Sequence, residues 1–236
     1  MIALILNSGL GHRMGDITKT HPKCMTKISN NETILSRQLK LLSKVNVREV
    51  IMTTGYFDDI LVNYCESLKL PIHFKYIKNP LFAETNYIYS IYCAKEELHD
   101  DILLMHGDIV FDESVLRDVL SFKHSCMKTS STLPLPEKDF KAVVKNGRVL
   151  KVGVEFFDSA MEAQAFYKLF KKDWSTWLKE IITFCERGKT NVYAENALNI
   201  VSDKCEIYSF DAKDRLCTEI DTPEDLVKVK EKLAND

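Results

Sequence analysis

Near its start the chain runs Ile-Ala-Leu-Ile-Leu over residues 2–6 and passes at once into Asn7-Ser8-Gly9-Leu10-Gly11-His12-Arg13-Met14-Gly15, with Thr18 and Pro22-Lys23 beyond. The apolar run reads as a short buried strand. A loop at the C-terminal end of such a strand is where open α/β sheets bind ligands. Gly9 and Gly11 let the backbone approach an anion with no Cβ in the way. Arg13 offers a planar fork for phosphate oxygens and Lys23 a compact point charge. Free amides and two fixed cations around one loop suit a polyphosphate, and so a nucleoside triphosphate.

Spacing removes two familiar nucleotide loops. A P-loop requires four residues between its first glycine and a Gly-Lys-Ser/Thr end, and no such string occurs. A dinucleotide fingerprint requires a third glycine three residues after the second, where this chain has Met14.

The first half alternates strand and helix, as in a mostly parallel sheet. Helices are expected at 33–44, 58–68 and 87–98. Strands are expected at 50–53, 72–77 and 102–105, the last ending at His106-Gly107-Asp108. The second half is less regular. Residues 130–139 read as a loop, and 142–144 with 148–154 as a hairpin about Asn146-Gly147. Helical stretches are expected at 159–171, 174–187 and 190–201, and a strand at 206–210. A last helix is expected after Thr222 as N-cap, with Pro223 in its first position.

The 236 residues fit one domain, and 45% apolar residues suffice for a substantial core. A net charge of −2 provides no basic field for nucleic acid. No apolar run approaches the ~20 residues of a membrane span. The first residues enter a strand rather than a charged region with an apolar signal core, so the expected location is cytoplasmic. Seven scattered cysteines with no Cys-x-x-Cys pair argue against both a disulfide framework and a zinc site.

The string Gly9-x-Gly11-x-Arg13-Met14, then Thr18, then Pro22-Lys23, resembles the signature of nucleotidyltransferases that make sugar nucleotides and CDP-alcohols. Within that superfamily, Leu6-Asn7-Ser8-Gly9-Leu10-Gly11 looks most like the cytidylyltransferases that activate phosphonates such as 2-aminoethylphosphonate. Sugar nucleotidyltransferases usually carry alanine or glycine where Asn7 and Ser8 stand. Asn86-Tyr87-Ile88-Tyr89-Ser90-Ile91-Tyr92 is similar to a segment of phosphocholine cytidylyltransferases. The resemblance spans nearly the whole chain, but is specific only in the N-terminal loop, around Asn86, at Asp108 and near Asp221.

The resemblance implies an α/β, Rossmann-like fold of the nucleotide-diphospho-sugar transferase type, with a mixed, mostly parallel sheet flanked by helices. One domain, 1–236, would combine a nucleotide-binding half (1–125) with an acceptor-binding half and C-terminal helix (126–236). CTP would be co-substrate, placed among Leu6, Asn7, Ser8, Gly9, Gly11, Arg13, Lys23, Gly55, Thr85, Asn86, Ser90 and Gly107. Read alone, Gly107-Asp108 equally starts a loop and Asp221 equally suits a helix start. The resemblance makes both Mg²⁺ ligands, with Glu219 a weaker candidate for the metal or its waters. Lys23 would stabilise charge on the α-phosphate, while Arg13 and the amides of residues 9–11 hold the leaving pyrophosphate.

For the acceptor, Phe140 and Tyr193 are available, but no tryptophan stands where the choline enzymes resemble each other. Glu195, beside Asn196, is a candidate partner for a primary ammonium. Lys141, Lys145 and Lys151 are equal candidates to hold the α-phosphate or the acceptor anion. The implied partner is a small phosphonate or phosphate. Phosphocholine, a sugar 1-phosphate and a non-catalytic nucleotide-sensing role are the alternatives. Fusion to another phosphonate enzyme, through the charged 228–236 tail, and a homodimer both stay open.

Overall fold

The computed structural model describes residues 1–234, so the last two residues of the charged tail lie outside the described residues. In chain order the elements are β1 (Ile2–Leu6), α1 (Ile34–Lys44), β2 (Glu49–Thr54), α2 (Asp58–Ser67), β3 (His73–Lys78), α3 (Tyr87–Cys93), β4 (Ile102–His106), β5 (Ile109–Phe111) and α4 (Glu113–Ser121). There follow β6 (Ser125–Ser130), β7 (Lys141–Lys145), β8 (Arg148–Gly153), β9 (Ala160–Leu169), α5 (Lys171–Glu186), α6 (Ala194–Val201), β10 (Ile207–Asp211), β11 (Cys217–Glu219) and α7 (Pro223–Ala234).

Among the described residues, nine strands form one sheet in the order β3-β2-β1-β4-β9-β6-β10-β8-β7. β1 lies parallel between β2 and β4, with Leu6 opposite Thr53 and His106. The glycine loop, Thr54-Gly55 and Gly107-Asp108 therefore leave the sheet at one edge, side by side. Antiparallel β9 joins this half to β6, and β7 pairs with both β8 and β9. A separate ribbon pairs β5 with β11, placing Ile109 opposite Glu219. Ile220 N also donates to Asp108 O at 3.1 Å, which brings the two distant aspartates together.

Both faces of the sheet are covered. Ile88, Ile91, Trp174, Trp177 and Leu198 from α3, α5 and α6 close one face. Leu35, Leu39, Leu61 and Val115 from α1, α2 and α4 close the other. The two buried indoles donate to Leu98 O at 3.0 Å and Ala194 O at 2.9 Å, which satisfies their N–H groups. All seven cysteines are free, and Cys93 alone is partly exposed. Among the described residues, no helix is long and apolar enough to cross a membrane.

The α/β class and mixed sheet agree with the resemblance, but several local expectations fail. Residues 159–171, expected to be helical, contain strand β9. Ala-Met-Glu-Ala-Gln-Ala is rich in helix formers, yet nearly all of β9 is buried and paired on both edges. Tertiary pairing overrides propensity there. The helix expected at 190–201 begins at Ala194, and α3 ends at Cys93 before a single 3-10 turn. β5, α4, β6 and β11 form where the sequence pattern predicts no element. The hairpin does form, with Asn146 at φ 52° and Gly147 at φ 77°, the pair of positive values a two-residue turn requires.

Candidate active site

Arg13 and Met14 are adjacent in sequence but point to opposite fates. Met14 is 1% exposed and packs with Ile28, Val110, Ile220 and Leu226. That cluster pins the glycine loop to the chain segment carrying Asp221. Thr18 closes the loop by donating from Oγ1 to Gly11 O at 3.0 Å. Gly11, at φ 67°, takes the left-handed conformation that favours glycine. The Arg13 side chain remains largely exposed and reaches Asp221 Oδ2 at 2.9 Å.

Lys23 Nζ lies between the two aspartates. It pairs with Asp108 and with Asp221 Oδ1, the latter at 2.6 Å. Burial pulls the ammonium pKa down, but the two carboxylates more than offset this and hold it above the ordinary lysine value. Burial pushes Asp108 up, while Lys23 and His106 draw it down to a net value below the usual carboxylate range. His106 Nδ1 meets Glu219 Oε1 at 2.9 Å. Burial disfavours its imidazolium, yet Glu219, with Asp108 and Glu195 behind it, raises the pKa to about 9.

Three cavities open on Asp108. One, of about 290 Å³, runs past Leu6, Ser8, Gly9, Thr85, Asn86 and Ser90. A second, of about 350 Å³, follows Asn7, Gly9, Gly11, Arg13, Lys23 and Gly107. The third, of about 300 Å³, is lined by Arg13, Tyr87, His106, Lys138, Asp139, Phe140, Tyr193, Glu219 and Asp221. Asn7 Nδ2, Ser8 Oγ, His106 Nε2 and Asp108 Oδ1 are buried and have no hydrogen-bond partner among the described residues. Buried polar atoms without partners are costly, so they mark a surface arranged for a ligand.

The residues fit a hard divalent cation. Oxygens of Asp139, Glu219 and Asp221 lie within 4.8 Å of one another, and a ligand atom each from His106, Asp108 and Glu219 forms a second such group. A mainly carboxylate donor set suits Mg²⁺.

Gly55 and Gly107 serve by close approach. A Cβ at Gly55 would strike the Ser8 carbonyl, and one at Gly107 would strike the Asn7 amide group. Gly107→Ala is therefore expected to cost about 1–3 kcal/mol of stability. Asn7→Ala in the same chain should restore it. Calorimetric unfolding of the single and double variants checks this, and equal melting temperatures for Gly107→Ala and the parent would refute it.

The glycine loop, both cations, both aspartates, Gly107, Thr85, Asn86 and Ser90 are thus gathered around one opening, whereas Gly55 only backs Ser8. The acceptor candidates scatter. Tyr193 lines the third cavity, but Asn196 is exposed elsewhere. Glu195 is 1% exposed and takes hydrogen bonds from Tyr87 and Tyr167 rather than facing the cavity. Lys141 Nζ is bound to the carbonyls of Pro136, Glu137 and Asp139. Lys145 and Lys151 are exposed on the hairpin, so Lys138 is the lysine of this region that lines the cavity. Asn79 was not foreseen. It is buried, and its Nδ2 donates to both Thr85 Oγ1 and Ser90 Oγ at 3.1 Å, setting the wall of the first cavity. Its only sequence signal is its place directly after a strand and before Pro80.

A strand-end glycine loop, two loop cations and two converging aspartates define a nucleotidyltransferase of the nucleotide-diphospho-sugar transferase fold. The chain matches the MobA-like NTP transferase domain over residues 3–128, more than half its length, and belongs to that family. It is similar to CTP:phosphoglutamine cytidylyltransferase of Campylobacter jejuni, 27% identical over 214 residues that cover 83% of this chain and 82% of that one. CMP-5'-(3-aminopropyl)phosphonate synthase of Streptomyces rubellomurinus is 27% identical over 164 residues, covering 70% of this chain and 26% of that one. The solved CTP:phosphocholine cytidylyltransferase of Streptococcus pneumoniae shares the fold with a TM-score of 0.76 at 18% identity, over 98% of this chain and 99% of that chain.

Proposed function

We propose that this chain transfers CMP from CTP to an anionic oxygen of a small phosphonate, 2-aminoethylphosphonate being the first candidate, and releases pyrophosphate. The observation that carries this reading is the meeting of three cavities at Asp108, with Lys23 held between Asp108 and Asp221. The first cavity is read as the cytidine site, the second as the triphosphate site and the third as the acceptor site. Cytidylyltransferases among the similar proteins support the choice of base.

The acceptor oxygen attacks the α-phosphorus in line, forming a new P–O bond as the bond to the bridging oxygen of the β-phosphate breaks. Pyrophosphate leaves with that electron pair. The acceptor is already deprotonated near neutral pH, so no general base is needed, and catalysis is positioning plus charge stabilisation. Lys23 moves from the carboxylates to the α-phosphate, while Arg13 and the amides of residues 9–11 hold the leaving group. Once Lys23 has left the carboxylates, a divalent cation held by Asp108 and Asp221, with Glu219 common to the ligand groups of both, would screen the repulsion between donor and acceptor.

In the third cavity the rings of Phe140 and Tyr193 meet edge-on at 5.0 Å, beside Asp139 and Glu219. Rings and carboxylates together suit an ammonium group at the far end of the acceptor. The same rings favour phosphocholine as the second reading. Pyrophosphate release with each of four NTPs, against 2-aminoethylphosphonate, phosphocholine and a sugar 1-phosphate, tests both. The expected result is turnover with CTP and the aminophosphonate. Preference for phosphocholine would reassign the acceptor, and Mg·CTP binding without turnover on any acceptor would favour a nucleotide sensor.

A further inference from the structure

A buried carboxylate next to the site takes no part in the reaction just described. Glu195 stands in the first turn of α6, and one of its oxygens accepts from the Tyr167 hydroxyl at 2.8 Å. The other accepts from the Tyr87 hydroxyl. Both oxygens are thus engaged by protein, and Glu195 lies off the cavity wall. A carboxylate is buried only when it is well bonded, so the tyrosines and Glu195 fix one another.

The two tyrosines differ in what this fixing achieves. Tyr167 is a core residue packed on Trp177. Tyr87 lines both the first and the third cavity. Its ring stands 4.6 Å from His106 and 6.0 Å from Tyr193. A second tie runs alongside, because Asn86 N donates to Thr190 O at 2.9 Å and joins the start of α3 to the segment leading into α6. The ring between the two cavities is therefore held from α6, an element remote from the nucleotide loop in sequence.

We propose that Glu195 is a positioning residue: it holds the Tyr87 ring as the wall shared by the nucleotide and acceptor cavities, and so sets acceptor affinity. This rests on the third cavity being the acceptor site. Tyr87→Phe keeps the ring and removes the hydroxyl that Glu195 holds, while Tyr167→Phe removes the equivalent bond on the core side. With 2-aminoethylphosphonate or phosphocholine, whichever the parent turns over, Tyr87→Phe and Glu195→Ala should raise acceptor KM about tenfold, the weight of one buried hydrogen bond. Expected alongside are a kcat within about threefold of the parent and Glu195→Gln, which still offers both tyrosines a partner, recovering most of the KM. Tyr167→Phe should leave acceptor KM within about twofold while lowering the melting temperature. Equal KM effects from the two phenylalanine variants, or none from Tyr87→Phe, would overturn the proposal.

Nuclear Overhauser contacts from the ring of residue 87 to the His106 and Tyr193 rings, recorded without ligands, test the positioning even if neither acceptor is turned over. Weakened contacts in Tyr87→Phe and Glu195→Ala relative to the parent support it, and unchanged contacts refute it. Absence of turnover on both acceptors would instead count against the proposed function.

Discussion

Replacing Lys23 with methionine is expected to lower pyrophosphate release by about 10²–10³, the usual loss when one well-aimed charge is removed from a transfer site. The same substitution has a second consequence that activity alone does not reveal. Lys23 is the common partner of Asp108 and Asp221, all three largely buried. Removing it leaves two carboxylates facing each other, with Arg13 on Asp221 and the His106 imidazolium near Asp108 as neighbouring cations. Breaking such a buried arrangement costs about 3–5 kcal/mol. The melting temperature of the apo variant should fall accordingly, and Mg²⁺ or Mn²⁺ without nucleotide should recover much of it. The parent should respond far less to metal alone, since its own ammonium already occupies the space between the carboxylates. Thermal melts with and without metal, beside a pyrophosphate assay, separate the two effects. Unchanged pyrophosphate release would remove Lys23 from the reaction.

Asp108→Asn is expected to have the next largest effect, lowering kcat by at least about 10². The substitution keeps the shape at the junction of the three cavities but removes the charge that pairs with Lys23. Asp108 Oδ1 has no hydrogen-bond partner among the described residues, so asparagine leaves no broken bond at that atom. Lys23 retains Asp221, and the fold should survive. Steady-state kinetics with CTP and acceptor varied in turn should show the loss in kcat, with acceptor KM within about threefold. A raised acceptor KM at normal kcat would move Asp108 from the transfer step to acceptor binding.

What could be read from the chain follows distance along it. The anion loop was legible because its glycines, Arg13 and Lys23 fall within fifteen residues and each contributes through local geometry. The hairpin at Asn146-Gly147 was legible for the same reason. Strand β9 was not, since its residues favour helix and only the edges of β4 and β6 make them a strand. Glu195 was misread in a similar way. A glutamate in a helix first turn has two ordinary readings, a solvated acid or a ligand contact, and nothing nearby in sequence announces Tyr87 or Tyr167 as its partners.

The sequence by itself therefore determined the family, the α/β class and the loop chemistry, because those rest on short contiguous patterns and on the strand before them. The tertiary structure decided how Asp108 and Asp221 come to face one lysine, through a two-strand ribbon and the Met14 cluster. It also decided which candidate residues line the third cavity, bringing in Lys138 and Asp139, leaving out Lys141, and setting Glu195 behind Tyr87. Those outcomes depend on pairings between residues up to about two hundred positions apart. Burial and partner geometry select such pairings, and local propensity carries no information about them.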